Sequence, residues 1–253
     1  MKPAFSKKMG RWFLTDRVRD LVDWWGTPQS QGEEPPPVQK PVADGSTELI
    51  RLPERSDWNI PSCDLVGAIA GRESHRRFNN APLRLDELAF LLWSTQGVRK
   101  KLHQAAVLRT VPSAGCRHPF ETYLVVLRVE GLATGIYRYL PLDHALVLAS
   151  APVDLAQQIT AATRGQRFAG QAAVTFVWSA IPARTEWRYA EASAKVIALD
   201  AGHVCQNLYL ACGAIGCGTC AIAAYDQDLV DELVGVDGDD ELVVYLSPVG
   251  KLA

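Results

Sequence analysis

The chain has 253 residues, 48% hydrophobic and 21% charged, a globular composition long enough to build a core without disulfides. Its formal net charge of −2 excludes a global basic field that would gather nucleic acid or an anionic membrane. Charges at Arg11, Asp16, Arg17 and Arg19 interrupt any apolar secretory core, and no run of about 18 apolar residues predicts a membrane span.

Residues 7–25 carry Phe13, Val18, Leu21, Val22 and Trp25 at roughly helical spacing. Residues 26–48 include Pro35-Pro36-Pro37 and have a linker composition. Two units are therefore expected: an N-terminal helix and Pro-rich extension over 1–59, and a folded domain over 60–253. Ser62 is placed to cap a helix running to Gly71, with Asp64 in its first turn. A second helix is expected over Asp86–Gln96, ended by Gly97. Strands are expected over Thr122–Val129, Ile136–Leu140, Leu146–Leu148 and Ala172–Ser179, with a helix over Asp154–Thr163 between the last two. The longest helical pattern spans Glu186–Ile215, where Val196, Leu199, His203, Val204, Asn207, Leu208, Ala211 and Ile215 recur at intervals of three and four. Asp226–Leu233 reads as a helix and Leu242–Leu246 as a final strand. Irregular interleaving of helices and strands predicts an α+β fold rather than a doubly wound sheet.

Three segments carry chemistry. Arg72-x-Ser74-x-Arg76 follows Gly71. In extended backbone its alternate side chains share one side, and guanidinium groups with a hydroxyl suit a phosphate. Spacing alone equally fits an exposed basic loop. Pro112-Ser113-Ala114-Gly115 and Gly218-Thr219-Cys220-Ala221-Ile222-Ala223-Ala224 offer small residues that let main chain approach a flat ring, although the first also fits an ordinary turn. Cys217-Gly-Thr-Cys220 matches C-x-x-C, but it follows a helix rather than opening one, and it lacks paired ligands for zinc. Small core cysteines are expected there, and no metal. The six cysteines as a set suit a reducing compartment, so a cytoplasmic location is expected.

The order of these motifs resembles the nitroreductase superfamily, in particular its SagB-type branch. Phe78, Leu85-Asp86-Glu87-Leu88, Leu91-Leu92-Trp93, Thr95-Gln96-Gly97 and Arg109 to Gly115 stand at the branch's positions. The resemblance runs from about residue 60 to residue 251. It implies a mainly antiparallel mixed sheet surrounded by helices, a long central helix and a homodimer with shared flavin mononucleotide (FMN) sites. It implies that Arg72, Ser74, Arg76 and Lys251 hold the FMN phosphate. Pro112, Ser113, Ala114 and Gly115 would face the ring from the partner subunit. Ile222, Ala223 and Ala224 would line the ring, with an amide near Ala223 donating to flavin N5. Arg188 and Tyr189 fall where azoline-oxidising members are credited with a catalytic lysine–tyrosine pair. Arginine there weakens azoline oxidation, because it does not accept a proton near neutral pH, and Ala190 replaces the branch's glycine. Asp200, Gly202, His203 and Asn207 match a branch helix and read as packing and polar bridging. The implied activity is hydride transfer from NAD(P)H through flavin N5 to a small-molecule acceptor such as a nitro compound, quinone or flavin. The alternatives are a dehydrogenase of azoline-type heterocycles in a modified peptide, and a flavin-binding module with little turnover. No Gly-x-Gly-x-x-Gly opens a βαβ unit, so a separate nicotinamide domain is not expected.

Overall fold

A computed structural model describes residues 6–42, 48–103 and 106–252. In chain order the helices are α1 (Lys7–Leu14), α2 (Leu65–Ala70), α3 (Leu85–Gln96), α4 (Leu155–Ala162), α5 (Arg167–Gln171), α6 (Ala183–Tyr189), α7 (Ser193–Ala214) and α8 (Gln227–Val234). The strands are β1 (Leu49–Arg51), β2 (Val98–His103), β3 (Ala106–Arg109), β4 (Phe120–Val126), β5 (Gly135–Leu140), β6 (Ala145–Ser150), β7 (Val174–Ala180), β8 (Cys217–Thr219) and β9 (Leu242–Lys251).

Seven strands form one sheet in the order β1-β6-β5-β4-β7-β9-β8, and every pairing in it is antiparallel. β2 and β3 form a separate hairpin that the sequence reading missed. Its first strand is Lys- and Arg-rich, so it lacks the apolar alternation that marks a half-buried strand. β4 and β7 are buried along their whole length because helices cover both sheet faces. On β4, Leu124 and Val126 join a cluster with Leu88 and Leu92 of α3 and Val204 and Leu208 of α7. The alternating Tyr123 and Val125 join another with Ile159 of α4, Phe168 of α5 and Val230 of α8. The expected α+β architecture, mainly antiparallel sheet and long helix are present.

Several boundaries differ from expectation. Residues 7–25 are not one helix: α1 ends at Leu14, and a separate 3₁₀ turn covers Arg17–Leu21. Asp64, not Ser62, caps α2, its carboxylate accepting from the Val66 and Gly67 amides. β9 runs on through Pro248 to Lys251. The pattern over 186–215 is divided at Ala190, whose φ of 42° and ψ of −126° break the helical ladder between α6 and α7. A helix-period pattern cannot register this, because the break leaves side-chain identity unchanged.

Residues 26–42, Pro-rich as they are, lie on the body of the fold. The Gln29 amide donates to the Trp187 carbonyl. Val38, Lys40 and Pro41 offer their carbonyls to buried Arg109 and Arg138. Extended, Pro-rich backbone suits this role, since its carbonyls are not consumed by a helical ladder.

Candidate functional site

The arginine segment lies across the β8–β9 edge. The His75 amide donates to the Thr219 carbonyl and the Asn79 amide to that of Lys251, both at 2.9 Å. Gly218 and Gly250 face each other across the two strands, and a Cβ on either would fall within 2.7 Å of His75 or Phe78. The glycine pair is what lets this segment sit so close to the sheet. Beside it opens a cleft of about 400 Å³, lined by Asp64, Gly71, Arg72, His75, Tyr209 and Gly218 among others. Ser74 and Tyr209 hydroxyls are 3.0 Å apart, and the Arg72 guanidinium lies 5.3 Å from the Tyr209 ring centre. Arg72, Ser74 and Arg76 are all exposed.

The small-residue loop sits elsewhere. Ser113 donates its hydroxyl to Asp200 of α7, and the Ala114 amide donates to the same carboxylate at 3.2–3.3 Å. Burial raises the Asp200 pKa, and the bond from Ser113 opposes the rise. The loop then turns through three positive φ values in four residues, at Gly115, Cys116 and His118. A Cβ at Gly115 would lie within 3.0 Å of Arg188 and of the Tyr189 hydroxyl, so glycine lets that pair pack directly on the loop, and its φ of 57° suits glycine as well. Cys116 and His118 accept conformations that cost side-chain-bearing residues energy. Burial, and then the charge of Arg109, push the His118 imidazole down to about 3. It is neutral in the fold.

A buried ionic hub fixes this loop and its neighbours. Glu121 of β4 accepts from Arg184 of α6, from Arg138 of β5 and from the Lys40 amide. Thus the carboxylate that anchors α6, and with it Arg188 and Tyr189, also anchors the N-terminal extension. Glu241 repeats the device, accepting from Tyr123, Ser179 and Lys40. Trp187 donates its indole N–H to the Glu33 carbonyl, while Arg117 lies 4.7 Å over its ring.

Pro112, Ser113, Ala114 and Gly115 therefore gather with Arg188, Tyr189 and Asp200. Arg72 and Ser74 gather with Tyr209, Gly218 and Thr219. Ile222 is buried and bridges Leu246, whereas Ala223 and Ala224 are exposed, and among the described residues nothing accepts the Ala223 amide hydrogen. Ser74 and Arg76 do not line the cleft. Lys251 does not line it either; its ammonium is held by Glu87 and by the Ile215 carbonyl. Cys217 and Cys220 are buried free thiols, and burial pushes Cys217 up to about 12, which suits inert core cysteines. Tyr209 was not singled out in the sequence, and Asp200 was read only as bridging. Beyond the resemblance of its helix to the branch, the signal for Asp200 was its being the lone acid of α7.

The two groups lie on one protomer but not at one place. Asp200 and Tyr209 are nine residues apart on α7, which sets them about 14 Å apart along the axis and about half a turn round it.

Comparison with known proteins agrees with this architecture. A sequence profile described as the nitroreductase family matches residues 69–251. A Methanocaldococcus jannaschii protein named as a nitroreductase is 30% identical over 207 residues, 82% of this chain and 98% of its own length. A Ralstonia eutropha structure named likewise superposes with a TM-score of 0.68 at 28% identity, covering 87% of this chain and 99% of that one. The trifolitoxin-processing protein of Rhizobium leguminosarum bv. trifolii is 28% identical over 51% of this chain and 36% of its own length. An Exiguobacterium sibiricum structure of a nitroreductase with FMN shares the fold, with a TM-score of 0.55 at 14% identity over 76% of this chain and 90% of that one. The chain belongs to the nitroreductase family, and its relatives agree with the SagB-type branch of it.

Proposed function

We propose that this chain is an FMN-dependent oxidoreductase acting as a homodimer in the cytoplasm, with NAD(P)H as reductant and a small molecule as acceptor. The observation that carries the reading is the opposed placement of the two groups on α7. One coenzyme would meet both only if the arginine segment of one protomer faced the small-residue loop of its partner. The surface supports such pairing: α2 buries none of its residues, leaving Leu65, Val66 and Ile69 exposed. A six-residue apolar helix needs a covering partner to persist.

The residues present fit a phosphate-bearing planar coenzyme. Arg72 lines a cleft of suitable chemistry, and the Ser74 hydroxyl meets that of Tyr209, which lines it too. Ala223 and Ala224 expose main chain, and the Ala223 amide is unclaimed among the described residues. Bound FMN would supply the redox chemistry, taking hydride at N5 and passing it to the acceptor. The protein's own part is to hold the phosphate, present an amide to the ring and shape access. Gly115, packed under Tyr189, sets how closely the loop approaches. Arg188 acts by position and by its guanidinium donors, since an arginine is not a proton acceptor near neutral pH.

The test is the visible spectrum of the purified protein, its size in solution, and anaerobic mixing with NADH or NADPH. A yellow dimer bleached by nicotinamide and reoxidised by quinone or nitro compound is expected. A yellow protein that nicotinamide leaves coloured points to oxidation of peptide azolines instead. Bleaching with no acceptor reduced points to a flavin-holding module. Colourless monomer that refuses added FMN overturns the reading.

A further inference from the structure

We propose that Tyr209 is a positioning residue that orients the Ser74 hydroxyl as a donor to the phosphate of the coenzyme, a role that rests on the FMN reading above. The Ala221 amide lies 2.9 Å from the Tyr209 hydroxyl oxygen. An amide N–H only donates, so the phenol oxygen accepts there. The phenol has one hydrogen, and its other neighbour is Ser74 Oγ at 3.0 Å. Donation from Tyr209 to Ser74 uses that hydrogen and leaves the serine's own hydrogen pointing away, on an exposed residue beside Arg72. In the reverse direction the phenolic hydrogen has no acceptor among the described residues and only solvent in the cleft to meet it, so donation to Ser74 makes the better use of it.

The resulting relay runs from the Ala221 amide through the Tyr209 hydroxyl to the Ser74 hydroxyl, and each bond polarises the next. Its free end is a hydrogen beside a guanidinium, which is a donor set for an anionic oxygen. The same tyrosine ring carries the Arg72 guanidinium at 5.3 Å, within cation–π range. Tyr209 thus organises two of the expected phosphate ligands.

The test compares FMN with riboflavin, which lacks the phosphate, on full-length wild type, Tyr209→Phe, Ser74→Ala and the double variant. Tyr209→Phe keeps the ring under Arg72 and removes only the hydroxyl. FMN affinity is expected to fall about tenfold in each single variant, riboflavin affinity less than about twofold, and the double variant is expected to be no weaker than Ser74→Ala alone. Equal loss for both flavins in Tyr209→Phe would mean a merely structural role, and unchanged FMN affinity or fully additive losses would equally overturn the proposal. Titration with inorganic phosphate, followed by ³¹P line broadening, separates this from the flavin reading. Wild type that binds phosphate but no FMN sinks the flavin reading and leaves Tyr209 to be judged on whether Tyr209→Phe weakens phosphate. Wild type that binds neither sinks both.

Discussion

The two ends of α7 are built on opposite principles. Toward its N-terminal end the small-residue loop is locked: a buried carboxylate, three positive-φ residues in four, and an ionic hub below hold it in one conformation. Toward its C-terminal end Arg72 and Ser74 are exposed and are placed by a neutral hydrogen bond and one aromatic ring. A surface that meets a rigid ring gains from preorganisation. One that meets a flexible, hydrated phosphate gains from charge and reach. The difference says that mutations at the first end should register in folding, and those at the second in ligand affinity.

The strongest way to break that contrast is Glu121→Gln. It leaves Arg138 and Arg184 buried without their carboxylate, and urea unfolding should show a loss of about 3–5 kcal/mol. A variant as stable as wild type would remove the hub from the account. Next comes the opposite end: Arg72→Ala with Arg76→Ala should leave the unfolding curve nearly unchanged, while equilibrium dialysis shows FMN binding weaker by about 2–3 kcal/mol, on the order of 100-fold. Unchanged occupancy would take these arginines out of the site.

A smaller effect is read by pH. His118 is held neutral in the fold down to about 3, whereas the unfolded chain takes up a proton near 6.5. Between those values the unfolded state binds more protons, so stability falls as pH drops from about 6.5 toward 3 and is unaffected above about 7. His118→Asn, which tolerates positive φ, should lose about 2 kcal/mol less than wild type between pH 7 and pH 4.5, measured by urea unfolding at each pH. Equal losses would mean the imidazole is not buried neutral. The smallest expected effect is at the helix break. Ala190 holds a conformation suited to glycine, so Ala190→Gly should raise stability by about 1 kcal/mol, strain relief outweighing added unfolded-state entropy. A loss would show that the break is unstrained.

Much of this was legible in the residues. The helices at 85–96, 155–162 and 227–234 and the buried strands β4 and β7 follow from side-chain period and β-branched or aromatic content, properties local to each segment. The arginine segment and the two small-residue segments were also visible, because donors and small residues announce themselves by type. The hub was not: Glu121, Arg138 and Arg184 lie far apart in sequence, and no local pattern says which charges will be buried together. Nor was the role of the Pro-rich stretch, whose composition reads as a spacer although its carbonyls serve buried guanidinium groups.

The sequence by itself determined the family, five of the seven strands of the main sheet and the chemical character of each segment, since these depend on residue type and spacing. Only the tertiary structure decided that Arg72 and Ser74 answer to Tyr209, that Ser113 and Ala114 answer to Asp200, and that these two groups stand on opposite sides of one helix. The physical reason is that a hydrogen bond is set by distance and direction in three dimensions, and residues 74 and 209, or 113 and 200, acquire these only when the sheet brings distant stretches of chain together.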